Sequence, residues 1–495
     1  MKSVRRLLLC LPVLTLSWAS AAQDMTLDEA IATARGGSVK ALEAKSEFIS
    51  DYWAWRAYKA SRLPSIYLYG SLGNFDRSLR LLQNYETGEM LYTNNYNMQN
   101  SIGVRARQNI PFTGGTLYLY TDLTRLDQFG PQRGQTWYAQ PVTISYSQPL
   151  FAYNQFKWDR LISPKEYEKA RKVYLESMED VSLSAVESFF GVMLAERTYE
   201  AAVKNYRNTS SVLSIAKERL SIGSITRDDY LQLELRSLND SIAIDERLVE
   251  LKQARMKLNS LLGYGESVEV HAVLEDRLPV IEMDYGFVLD KSLTNSSFSL
   301  GNSIDLLSAD AAVAKAKASR GITMELNARF GLSNSAPELQ STYRDLLDQE
   351  VVGLTFSIPI FDWGEGKGKV MKAKAAADVV KAQVAQAEND LRIRIFTAVG
   401  QFNNQRRLCE VSSRAVAIAS ERYDLVLEKF RSGKVNVTEL NTARSESDDA
   451  MSKYVKDMGD FWRYYYTMRK LTLYDFIAGR DIEVDYEEMV DSYEN

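Results

Sequence analysis

The sequence predicts a mixed fold in which very long antiparallel helical hairpins are joined to β-strands, with the whole plan laid out twice along 495 residues. Three observations predict it. Two long stretches, Pro164 to Ile222 and Lys369 to Ser432, hold one glycine each (Gly191, Gly400), have no proline after Pro164, and carry apolar residues at helical spacing. Shorter segments ahead of them alternate apolar and polar residues at period two and are rich in Tyr, Ile, Val and Phe, the pattern of strands. And landmarks recur at a fixed offset: Pro149-Leu150-Phe151 returns as Pro359-Ile360-Phe361, 210 residues later.

In chain order, residues 1–22 come first. Lys2, Arg5 and Arg6 precede an apolar run from Leu7 to Trp18 and the small residues Ala19 to Ala22, the layout of a secretory signal. The run is too short to span about 30 Å of hydrocarbon, and Cys10 lies too early in it to be a lipid-acceptor cysteine. Beyond the leader only Cys409 remains, so no internal disulfide is expected despite export. Removing the leader's cations makes the formal charge of −5 more negative still, which argues against nucleic acid as a partner. No later segment reaches 18 uninterrupted apolar residues, but a β-barrel remains a permitted way across a membrane.

Residues 23–262 form a first repeat, 263–286 a linker, 287–475 a second repeat and 476–495 an acidic tail that reads as flexible. Each repeat opens with a helix of about 35 residues, Leu27 to Arg62 and Phe287 to Arg320, ending on the shared tetrapeptide Lys-Ala-Ser-Arg. Strands follow, "SIYLYGSLG" and "VTISYSQPLF" in the first repeat, "ITMELNARFGLS" and "VVGLTFSIPIF" in the second. Pro149 and Pro359, lacking an N–H, are placed to end strand pairing. With Phe151 and Phe361 they mark a joint from strand to helix, and Gly364, Gly366 and Gly368 permit the change of direction in the second joint. The first repeat alone carries extra sequence. Ser101 to Leu123 reads there as strand, Gly-Gly turn and strand, an additional hairpin either within the sheet or projecting beyond it, with Tyr92–Asn100 and Asp127–Gln140 as loops.

At 1.5 Å per residue the long helices would run roughly 90–100 Å. Gly223 and Gly433 suit the left-handed residue that closes a helix. Thr226 with Asp229, and Asn436 with Glu439, then read as capping boxes that open the returning helices. Enzyme signatures are lacking: the lone histidine, His271, sits in the linker, and there is no H-E-x-x-H, P-loop or G-x-S-x-G. No catalytic residue, metal ligand or cofactor is expected.

The doubled proline-aromatic joint and the turns "LSIGSITRDDY" and "FRSGKVNVTEL" resemble those of the TolC-type outer-membrane efflux proteins. That resemblance implies a homotrimeric duct in the bacterial outer membrane. Each copy would give strands to a shared transmembrane barrel and helices to a periplasmic α-barrel, open to an adaptor protein and an inner-membrane transporter. It implies an adaptor-binding tip at Gly223, Ser224, Ile225, Gly433, Lys434 and Val435. It also implies a gate at which Glu439 occupies a lumen-ringing position and Thr442 replaces a second carboxylate. Asp229 matches an acid that latches the mouth in some members, but its tyrosine and arginine partners fall here at Phe430 and Val435. Closure is then expected from other pairs, with Arg227, Arg431 and Lys434 as candidates, or from apolar packing. Alternatives are type I protein secretion, a periplasmic coiled-coil scaffold and an adhesin.

Overall fold

The computed structural model describes residues 23–83, 88–130, 133–265, 268–274 and 278–494, so the expected leader over 1–22 lies outside the described residues. The elements run β1 (Gln23–Met25), α1 (Leu27–Gly37), α2 (Val39–Ser61), β2 (Ser65–Gln83), β3 (Met90–Ile110), β4 (Gly115–Gln128) and β5 (Gly134–Leu150). Then come α3 (Gln155–Ser221), α4 (Arg227–Leu262), β6 (Val270–Ala272), α5 (Tyr285–Asn295), α6 (Phe298–Arg320), β7 (Thr323–Ala336) and β8 (Leu347–Ser357). The chain closes with α7 (Glu365–Arg431), α8 (Val437–Thr472), β9 (Tyr474–Asp475), β10 (Arg480–Asp481) and α9 (Tyr486–Glu494). The twofold repeat is written in helix lengths. α1 and α5 have 11 residues each, α2 and α6 23, α3 and α7 67, α4 and α8 36.

Two compact units interleave along the chain. One holds Phe48–Arg171 and Ser297–Asp390; the other holds residues up to Glu47, Lys172–Ser296 and everything from Leu391. In the first, six strands make one antiparallel sheet in the order β2-β3-β4-β5-β7-β8. The extra hairpin expected in the first repeat is therefore β3 and β4, set inside the sheet. The stretches Tyr92–Asn100 and Asp127–Gln140, expected as loops, lie largely in strands: Asn94 to Gln99 pair with β2, and Gln135 to Gln140 pair with β4. Their polar composition hid them, because pairing with a neighbouring strand draws in residues that strand propensity alone disfavours.

One face of the sheet is apolar and exposed, with Ile66, Leu68, Leu72, Ile102, Val104, Leu117, Leu119, Ile144, Phe330, Val352, Leu354 and Phe356. The other carries Tyr69, Arg105, Tyr118, Tyr120, Ser145, Asn327 and Arg329, set opposite one another by the register. Strict alternation puts the two chemistries on opposite faces. Gly103 faces Tyr69 across the ladder, and a Cβ there would stand 2.6 Å from the tyrosine ring, so only glycine lets that ring lie flat. Between Ser71 and Asn74 the β2–β3 register shifts at a bulge, with Gly73 at φ +70°. Beyond it one face of the hairpin is polar, through Asp76, Arg80, Asn95 and Asn97, while the other carries Phe75, Leu79 and Leu81.

The opening helices are broken where single long ones were expected. Ser38 takes extended backbone at the end of α1 and its hydroxyl accepts from Ala41 N–H, starting α2 afresh; Gly36-Gly37 ahead of it supplied the missed signal. Ser296 divides α5 from α6, also with extended backbone, its hydroxyl donating back to the Ser292 carbonyl. The first long helix starts earlier than expected, at Gln155, and runs through Pro164. At the tenth helical residue the proline lies past the first turn, so it removes the bond to the Arg160 carbonyl and crowds that turn, a cost of about 3 kcal/mol that the rest of the helix outweighs. The acidic tail, read as flexible, takes regular structure: β9 pairs with β10, and α9 buries Met489 and Val490 while Ser492 accepts from Lys45. Its apolar pair at adjacent positions gives an otherwise acidic segment one face to bury.

Cys409 is free and buried, its thiol donating to the carbonyl of Asp457 at 3.2 Å. Burial pushes that thiol up to about 12. His271, in β6, sits 3.0 Å from Glu196, which also accepts from Arg255 and the Ala272 N–H, so the lone histidine belongs to a structural cluster.

Candidate functional site: the helical turns and the clamp above them

At the joints the two repeats differ. Pro149 lies inside β5, opposite Glu325, so it does not end the strand; β5 continues to Leu150 and turns at Phe151, which takes φ 62°. Proline is tolerated there one residue from the strand end, where a single ladder bond is at stake. Pro359 does lie past its strand, which stops at Ser357. In the second joint Phe361 stacks edge-on against Trp363, and Trp363 and Gly364 have φ 53° and 90°. Asp362 accepts from the N–H groups of Gly364 and Gly366 at 3.0 and 2.8 Å, and those bonds hold its carboxyl below the usual range. Gly366 and Gly368 are within the first turn of α7, so they do not make the bend. Gly366 instead admits the Arg320 side chain, whose Cγ a Cβ would meet at 2.7 Å.

At the other end of each long helix a tight turn returns the chain. Gly223 and Gly433 have φ +71° and +79°. The N–H groups of Ser224 and Lys434 reach back to the carbonyls of Arg219 and Lys429 at 2.8 and 2.9 Å, closing the last helical turn. Thr226 and Asp229 form a full capping box, so the Asp229 carboxylate is occupied by its own helix start. The second turn is only half a box. Asn436 accepts from the Glu439 N–H at 2.8 Å, and Glu439, with no reciprocal bond, extends exposed from the turn. Thr442 is exposed one turn further on and bonds back to the Thr438 carbonyl.

What joins the first hairpin, α3–α4, to the second, α7–α8, was only half legible in the sequence. Apolar packing is one part. Val212, Ala216, Leu233, Tyr423, Val426, Leu427, Phe430, Val437, Leu440 and Ala443 form one buried cluster, with Ile225, Tyr230 and Val435 packed against it. Phe430 and Val435, standing where the resemblance placed polar partners, therefore contribute apolar area instead, about 1.5–3 kcal/mol for a fully buried side chain of that size. Among the described residues, no side-chain bond of Arg227, Arg431 or Lys434 joins the hairpins. Arg219 of α3 donates to the carbonyls of Phe430 and Arg431, satisfying the end of α7. Above the cluster Arg444 of α8 holds Asp240 of α4 in a bidentate pair, Nη1 to Oδ2 at 2.9 Å and Nη2 to Oδ1 at 2.8 Å. Thr209 of α3 donates to the same Asp240 at 2.7 Å, and Asn205 donates to Asp448 at 2.9 Å. Arg444 is 8% exposed and Asp240 3%, which makes this a buried clamp. Burial, eased in part by Asn205 and Arg444, pushes the Asp448 carboxyl above its ordinary value. The clamp has no motif in the sequence: Asp240 and Arg444 stand 204 residues apart and become partners only through the packing of α4 on α8.

Residues 296–472 match the family model described as outer membrane efflux protein. Over that stretch the chain is similar to outer membrane efflux proteins. The cobalt-zinc-cadmium resistance protein CzcC of Cupriavidus metallidurans is 22% identical over 306 residues, 61% of this chain and 68% of that one. Among solved structures, the CmeC outer membrane channel of Campylobacter jejuni superposes with a TM-score of 0.65 at 13% identity, over 94% of this chain and 88% of that one. VceC of Vibrio cholerae gives 0.63 at 13% identity, over 92% and 97%. At those identities the likeness shows the fold, long helical hairpins joined to antiparallel strands, and the matched model is that of an outer membrane family.

Proposed function

We propose that three copies form a passive duct that carries substrate from the periplasm to the exterior. An inner-membrane pump drives it and a periplasmic adaptor engages it at the turns around Gly223–Ile225 and Gly433–Val435. One observation carries the reading. A single chain passes directly from a sheet with one exposed apolar face into 67-residue helices with a contour length of about 100 Å. The sheet face fits hydrocarbon, while the helices, none apolar enough among the described residues to cross a membrane, fit an aqueous compartment.

The mouth is closed by apolar packing of the two hairpins around Phe430 and by the Arg444–Asp240 clamp, and the adaptor opens it by parting them. The exposed Glu439 then faces the passage, and three such carboxylates near an axis favour cations. The likeness to a cobalt-zinc-cadmium resistance protein makes divalent metal ions the first substrates to try. The test is export from cells. Deletion of the gene, complemented by wild type or by variants at Ile225 and Val435, is followed by cellular accumulation of zinc, cobalt and dye substrates. Detergent-solubilised envelopes are then assayed for a co-purifying adaptor and pump. Unchanged accumulation of every substrate on deletion, with no adaptor recovered, overturns the reading.

A further inference from the structure

The sheet has two free edges, the outer side of β2 and the outer side of β8. We infer that these edges join copy to copy, β8 of one protomer pairing with β2 of the next. Every copy then contributes six staves to one closed wall, with the β3–β4 hairpin as part of that wall.

Four observations carry this. The ladder from β2 to β5 is continuous through β3 and β4, with partners assigned from Ser65↔Arg107 through Ile110↔Gly115 to Thr116↔Ser147, so β2 does not touch β5. The apolar face also continues across the inserted pair, through Ile102 and Val104 on β3 and Leu117 and Leu119 on β4. A hairpin that projected into water or into a lumen would have no reason to carry it. That face reaches both edges, at Ile66 and Leu68 on β2 and at Val352, Leu354 and Phe356 on β8, so both edges lie at the depth of hydrocarbon. There an unpaired row of N–H and C=O groups is not tolerated. Finally, six strands are too few to close on themselves, since the smallest membrane barrels have eight. Six is also even, so β2 and β8 run in opposite directions, and joining identical copies edge to edge keeps every pair antiparallel.

The inference rests on the membrane duct proposed above but extends it. With three copies the wall has three times six, or eighteen, strands, and since barrel diameter grows roughly linearly with strand number, the outlet is about half as wide again as one built from four strands per copy. Arg105, with the rings of Tyr69, Tyr118 and Tyr120 within 4.6–5.9 Å, then lies on the wall's polar side.

Disulfide trapping in membranes tests it, in a Cys409→Ser background. Leu68→Cys with Val104→Cys, directly opposite in the β2–β3 register, is the folding control and oxidises within one chain. Leu68→Cys combined in turn with cysteine at 350, 352, 354 and 356 scans the copy-to-copy register. At least one pairing is expected to give a ladder of covalent dimers and closed oligomers on non-reducing gels. Leu68→Cys with Ile144→Cys stays unlinked in the six-stave wall, because three strand spacings of about 4.8 Å separate the two, beyond disulfide reach. An intrachain 68–144 bond places β2 against β5 and the hairpin outside the wall, and overturns the inference. So does absence of any β8–β2 product when the 68–104 control has oxidised. Export of substrate by these strains is scored separately, so a duct with a different wall is distinguished from a correct wall that exports nothing.

Discussion

Replacing Arg444 by alanine is the sharpest test of how the mouth is held. Its guanidinium makes two charge-assisted bonds to Asp240, at 2.9 and 2.8 Å, and both groups are almost wholly buried. Removing one member of such a pair costs about 3–5 kcal/mol where the other charge is left buried alone; here Arg236, 3.3 Å from Asp240, keeps a second cation beside it, so the cost falls at or below the lower end of that range. In the proposed gate the cost falls on the closed arrangement, since parted hairpins let Asp240 be hydrated. At about 1.4 kcal/mol per factor of ten, the closed-to-open ratio falls by up to roughly two orders of magnitude. Single-channel conductance in planar bilayers reads this: Arg444→Ala spends far more time in conducting states than wild type. A packed apolar pair in place of a buried ion pair is often neutral or better, so Arg444→Met with Asp240→Leu returns the conductance toward the wild-type level. An Arg444→Ala channel as closed as wild type refutes the clamp. A double variant as open as the single one shows that charge was not the cause.

Other consequences are open to simpler measurements. Gly433→Ala forces a side chain onto a backbone at φ +79°, a strain of about 1–2 kcal/mol, and hydrogen exchange is expected to quicken at that turn while the sheet is unaffected. Leu119→Arg puts a charge on the apolar face and costs up to about 2–4 kcal/mol near mid-membrane. Heat-resistant oligomer on gels is expected to fall, whereas Ser145→Arg on the opposite face leaves it intact. Cys409, buried and with its thiol held up to about 12, gives no reaction with a thiol reagent at pH 8 until the protein is unfolded in denaturant.

Asp475 supplies a pH test. Burial raises its carboxyl, but the Ala478 and Ile477 N–H groups, the Tyr465 hydroxyl and Arg469 outweigh burial and leave it below the ordinary value. A depressed carboxylate contributes stability above its unfolded-state value, near 3.9, and loses it as pH falls through the folded one. The melting-temperature gap between wild type and Asp475→Asn is therefore expected to be constant from pH 7 to 5 and to shrink below pH 4. A gap that widens in acid contradicts the assignment.

Features governed by neighbours in sequence were readable from the sequence alone. Gly223 and Gly433 need no partner beyond their own helix ends to take a left-handed backbone, and Thr226 with Asp229 completes a capping box within four residues. Alternation at period two, carried by side chains such as Tyr67, Leu68 and Tyr69, gave the strands and their two faces. The 210-residue offset gave the duplication, which returned as helices of equal length. Misreadings came where a local rule met a wider constraint. Pro149 stays in its strand, and the polar stretch from Asn94 to Gln99 is drawn into β3 because β2 offers it a complete ladder. Tertiary structure alone decided two things: that the extra hairpin is threaded into the sheet between β2 and β5, and that Asp240 meets Arg444. Both depend on which backbone edge and which helix face are brought together across dozens or hundreds of residues, and the short-range preferences of a sequence carry no information about that.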